Sequence, residues 1–96
     1  MILSERETDQ GLLVSVCDRE IIGETFEDGT ISLTVDENFY GGDEVDESTV
    51  VESLARAQVA NIVGHRAVDV AVDAGIIDAA NVLEVDGTRH AQLVRL

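Results

Sequence analysis

Apolar residues in this chain fall into short blocks parted by Gly- and Asp-rich joints, and the rhythm inside each block predicts its element. Leu12–Cys17 is continuously apolar and rich in β-branched residues, bounded by Gly11 and Asp18, which predicts a strand. Met1–Glu5 is a candidate partner strand, turning through Asp9-Gln10-Gly11. Ile21-Ile22-Gly23 reads as a short extended piece. Glu27-Asp28-Gly29 is a turn, because Asp-Gly tolerates positive φ. Ile31, Leu33 and Val35 then alternate with Ser32 and Thr34, the period of a half-buried strand. The first third is therefore expected to be an antiparallel meander.

A loop is expected over Asp36–Glu47, containing Phe39-Tyr40-Gly41-Gly42. The period then changes. Val51, Leu54, Ala55, Val59, Ile62 and Val63 recur at helical spacing after a Thr49-x-x-Glu52 capping box, and Gly64 supplies a stop. Glu52 and Arg56 stand at i,i+4 in the favourable order. A second helix is expected over Arg66–Ala74, ended by Gly75. Asn81–Val85, the Asp86-Gly87 turn and His90–Leu96 complete a closing hairpin. The sum is one α+β domain over residues 1–96: an N-terminal antiparallel β-meander, two consecutive helices and a C-terminal β-hairpin, with the helices on one face of the sheet.

Composition supports a folded chain, since 45% of its residues are apolar and patterned, which excludes disorder. No apolar run approaches the ~20 residues of a membrane span. The opening Met1–Glu5 lacks the basic flank of a signal peptide, and the single Cys17 suits a reducing compartment, so a cytoplasmic location is expected. Charge changes the picture most. Twenty acids face six arginines and no lysine, for a net charge of −14. Lys-free acidity joined to Ala and Val richness is the composition of a salt-adapted protein, kept soluble by charge that molar salt screens. Acidity that serves a basic partner is the competing explanation. On the first of these, negative charge does not exclude an RNA partner.

The motif-bearing words read in order Phe39-Tyr40-Gly41-Gly42, Ala60-Asn61-Ile62-Val63-Gly64, Ala67-Val68, Ala74-Gly75-Ile76-Ile77, Asn81-Val82-Leu83 and His90-Ala91-Gln92. In these words, and around Val16-Cys17-Asp18, the chain resembles the archaeal family called domain of unknown function 424, over nearly its whole length. Its acidic surface fits a haloarchaeal member. The resemblance implies association with the translation apparatus, and names no chemistry.

Catalytic and metal patterns are weak. Cys17, His65 and His90 stand far apart in sequence without the paired spacing of zinc ligands, so no metal and no cofactor is expected. Asp43-Glu44-Val45-Asp46-Glu47 lacks the alternation of a calcium loop and reads as a helix lead-in. No phosphate loop or nucleophile elbow occurs. The second helix exposes Asp69 and Asp73, which argues against a duplex-reading helix-turn-helix.

The places without acid are more informative. Residues 1–47 hold fourteen acids and two arginines, whereas Thr88–Leu96 hold Arg89, His90, Gln92 and Arg95 and no acid. Such a stretch is expected either to be a buried central strand or to face an anionic partner. Arg89, His90 and Gln92, with Asn61, His65 and Arg66 near the helix junction, are thus the candidate binding residues. Phe39, Tyr40, Gly41 and Gly42 form a second candidate, an aromatic platform for a base or a protein. The expected function is a non-enzymatic binding module, RNA- or ribosome-associated, with a protein-interaction module as the alternative and an enzyme less favoured.

Overall fold

The computed structural model describes all residues, Met1–Leu96. Strand β1 (Ile2–Thr8) and strand β2 (Gly11–Cys17) pair in full antiparallel register, from Ile2 opposite Cys17 to Thr8 opposite Gly11. A 3-10 turn over Arg19–Ile21 replaces the extended piece expected around Ile21. Strand β3 (Thr25–Asp28) and strand β4 (Ile31–Thr34) then form a two-stranded sheet of their own. The first third is thus two hairpins, not one meander. The segment Asp36–Glu47 is not all loop. Helix α1 (Glu37–Tyr40) and the two-residue strand β5 (Asp43–Glu44) lie within it.

Helix α2 spans Glu47–Arg56 and is capped by Asp46, whose carboxylate accepts the Thr49 N–H at 2.9 Å. Asp46 therefore takes the capping role expected of Thr49, and these hydrogen bonds lower its pKa. Arg56 pairs with Glu5 at 2.7 Å rather than with Glu52. The helix stops well short of the expected Val63. Val59–Val63 is strand β6, lying parallel to β2 from Leu13 opposite Val59 to Cys17 opposite Val63. Helix α3 (His65–Asp73) follows, then a 3-10 turn over Ala79–Asn81, strand β7 (Leu83–Val85) and strand β8 (Thr88–Val94).

The fold is α+β. The main sheet runs β5-β1-β2-β6-β8-β7, with the β2–β6 pair parallel and the others antiparallel. Insertion of β6 between the two hairpins makes this sheet mixed where an antiparallel one was expected. Val14, Val16, Ala60, Ile62 and Ala91 on one side of it pack with Val50 and Leu54 of α2 and Ala67, Val68 and Ala71 of α3. A smaller cluster of Cys17, Val35, Tyr40 and Val63 closes one end of the opposite side, under the β3–β4 hairpin and α1.

The β6–α3 joint depends on Gly64 and Asp18. Gly64 holds φ +112°, and a Cβ there would strike the Asp18 carboxylate. That carboxylate accepts the N–H groups of Arg66 at 3.1 Å and Ala67 at 2.8 Å. Gly64 therefore starts α3 instead of ending the preceding helix, and Asp18 caps it from beyond the end of β2.

Candidate functional site

Side chains alternate across a strand, so the pairing register sorts every sheet position onto one of two faces. One face carries helices α2 and α3 and the strand acids Glu5, Glu7 and Glu84. On the other, β1, β2, β6, β7 and β8 present no carboxylate. Only the edge strand β5 departs from this, with Glu44 opposite Ile2, and that carboxylate is paired with Arg19 at 3.5 Å. Ser4, Ser15, Asn61 and Gln92 form one row across four strands, and Arg6, Leu13, Val59 and Val94 form the next. The third row, Ile2, Cys17, Val63 and His90, lies toward the small hydrophobic cluster. Half of the sheet face is thus covered and half is open.

The open half is neutral, with one cation. Gln92 is exposed, and its amide donates to Asn61 Oδ1 at 2.9 Å. The other end of each amide, a donor on Asn61 and an acceptor on Gln92, has no protein partner. Arg6 stands 5.3 Å from the Phe39 ring centroid, and its guanidinium donates to the carbonyl oxygens of Asn38 and Phe39. It thereby ties α1 to the sheet edge. Phe39 meets Tyr40 edge-to-face, with centroids 5.0 Å apart.

The six expected binding residues do not share one face. Asn61, His90 and Gln92 lie on the acid-free side, whereas Arg89, His65 and Arg66 lie on the helix side. Arg89 is held by Asp69 of α3 at 2.5 Å, and Arg66 approaches Glu47 at 3.6 Å. His65 Nε2 donates to the Gly87 carbonyl at 2.6 Å. His90 is half-buried, and its Nδ1 donates to the Ile62 carbonyl at 3.1 Å. Burial lowers its pKa, partly opposed by that hydrogen bond.

The aromatic-glycine segment is also reassigned. Tyr40 is buried and its hydroxyl is pushed up to about 12 by desolvation, so it is core and not platform. Phe39 is half-buried beside Arg6. Gly41 and Gly42 are required for closeness, because a Cβ on either would run into the backbone carbonyl of Glu37 or Leu3.

The geometry so far belongs to a sequence matched over residues 5–96 by the family model described as Protein of unknown function (DUF424). The chain belongs to this family. The DUF424 fold here is similar to the crystal structure of an uncharacterized conserved protein from Methanopyrus kandleri. The TM-score is 0.80 at 22% identity, covering 99% of this chain and 93% of that one. No curated protein matches the chain.

Sequence reasoning missed Ser4, Arg6, Leu13 and Val59 of the open face in this DUF424 protein, and Ser15, which is buried beneath them. The signal was present in β1, where Ser4, Arg6 and Thr8 alternate with Glu5 and Glu7. Without the parallel β2–β6 pairing, nothing joined that strand to Asn61 and Gln92. A shallow cleft of about 610 Å³ between α2 and α3 is lined by Glu47, Asp69 and Asp73 beside Arg66 and His65. Its acids suit it poorly to an anion. No group of three metal-ligating side chains gathers anywhere in the molecule, and no helix is long and apolar enough to cross a membrane.

Proposed function

We propose that this DUF424 protein is a non-catalytic binding module of a salt-adapted cytoplasm, and that its acid-free sheet face takes RNA, in or near the ribosome. One observation carries the reading: a chain of net charge −14 keeps carboxylates off that face along five strands. A polyanion approaching the helix side would meet like charge. Here it meets Arg6, a pair of amides with a free donor and acceptor, and apolar Leu13, Val59 and Val94 against which bases lie flat. Molar salt reduces the reach of the remaining charges to about 3 Å, so the far carboxylates do not repel the strand.

The fixed state of the reactive side chains supports a non-catalytic role. Burial and neighbouring Asp18 raise the Cys17 thiol to about 11, which leaves little thiolate to attack anything. Both histidines are engaged with backbone carbonyls.

A tagged pull-down from native high-salt lysate, with and without ribonuclease, tests the reading. Ribosomal RNA should be recovered, and ribonuclease should release every partner. Gln92→Glu and Arg6→Glu should each reduce capture at least tenfold. The apolar row Leu13–Val59–Val94 favours a second reading, a protein-interaction module. Retention of the same protein partners after ribonuclease would establish that reading and overturn the first.

A further inference from the structure

We propose that two copies of this chain join through the outer edge of β8, making one continuous sheet. The pairing pattern leaves that edge open. Gly64 N–H donates to Arg89 O and Arg95 N–H to Gln58 O, so odd-numbered residues of β8 bond toward β6. Even-numbered residues bond the other way, where β7 reaches only from Thr88 to His90. The N–H and C=O groups of Gln92 and Val94 therefore point outward with no backbone partner.

An edge in this state templates pairing unless it is guarded by charge, shortness or a cover. Every other edge in the sheet is guarded. β5 is Asp43-Glu44, and beyond it the outward backbone groups of β1 belong to Glu5 and Glu7. β7 is three residues long with Glu84 at its centre. The outward residues of the β8 edge, Gln92 and Val94, carry no charge. Val94 is 63% exposed and Leu83, at the neighbouring end of β7, is 56% exposed.

A second copy is the occupant that fits. A strand pairing antiparallel with itself about a twofold axis satisfies its own pattern, Gln92 of each copy facing Val94 of the other. A foreign strand would need a matching acid-free sequence, whereas the second copy brings the same acid-free Thr88–Leu96 run by symmetry. Two molecules of net charge −14 repel across their acid-bearing surfaces. The join also extends the acid-free face across both copies.

Light scattering coupled to size exclusion, at millimolar protein in 2 M KCl, tests the pairing. The parent should elute at twice the chain mass. Val94→Pro removes an outward N–H that β6 does not use, and should give a monomer with an unchanged circular dichroism spectrum. Val94→Asp, which keeps the backbone and adds a carboxylate to the edge, should weaken association at least tenfold. A monomeric parent, or a dimer that persists in both variants, would overturn the proposal. Neither outcome depends on whether RNA binds.

Discussion

Asp18 and Gly64 depend on each other at the end of the sheet. The carboxylate is buried and acts as the N-cap of a helix distant in sequence, and it fits only because Gly64 has no side chain. Asp18→Ala should lose about 1–2 kcal/mol, the usual worth of such a cap. Gly64→Ala should lose more, since φ +112° with ψ 150° is essentially reserved for glycine and costs other residues about 1–3 kcal/mol before any clash. In chemical denaturation the double variant should lose less than the sum of the two, because Asp18→Ala vacates the space the new Cβ needs. Strict additivity would leave backbone strain as the whole effect. His90 offers a second test at this scale. Its folded pKa is depressed by burial, so the unfolded chain takes up the proton more readily. Its contribution is therefore complete above the ordinary value of 6.5 and declines as pH falls through it. Replacement by Gln should flatten the stability profile as pH falls through 6.5. A profile unchanged there would mean the buried imidazole is not its source.

Elements are less legible in the sequence than residues, and the helix over-run shows why. Val51, Leu54 and Ala55 continue into Val59, Ile62 and Val63 at helical spacing, and no Gly or Pro intervenes. Periodicity alone does not separate a buried strand from a helix segment. The β-branched character of Val59-Ala-Asn-Ile-Val is the contrary hint. What decides the matter is tertiary: the segment fills a slot between β2 and β8 that a helix would not fit. The hairpins Ile2–Cys17 and Leu83–Val94 are recognisable because their turns carry Gly, a local signal. The candidate face is half legible for the same reason. Gln92 and Asn61 stand out by lack of nearby acid, but Arg6 joins them only through a long-range register. Arg95 illustrates the converse. Its Nη1 donates to the carbonyls of Leu54 at 2.8 Å and Ala57 at 2.7 Å, closing the C-terminus of α2. Arg95→Ala should lower stability by about 1 kcal/mol, read from the urea midpoint. Arg66→Ala, which removes an exposed 3.6 Å pair, should change it by only a few tenths. Equal effects of the two would show that the cap adds nothing beyond a surface charge.

At the scale of the whole molecule, charge and size meet. The chain measures 33 × 28 × 27 Å and carries net −14. In 0.01 M salt the screening length is about 30 Å, so carboxylates on opposite sides repel through the full width of the fold; in molar salt it shrinks to about 3 Å. Compactness should therefore depend on ionic strength over the entire range. The melting temperature should climb steeply from 0.05 to 1 M KCl and continue upward to 2 M. Four exposed acid-to-lysine substitutions on the helix side, at Glu7, Glu52, Asp73 and Glu84, should flatten that dependence without altering the circular dichroism spectrum. Repulsion also grows when two copies meet, so association through β8 should vanish at low salt before the fold itself is lost. Scattering mass and ellipticity, followed together as KCl is dialysed away, separate the two events. A melting temperature independent of salt would refute the salt-adapted reading, and with it the argument that acid-free surface marks a place of contact.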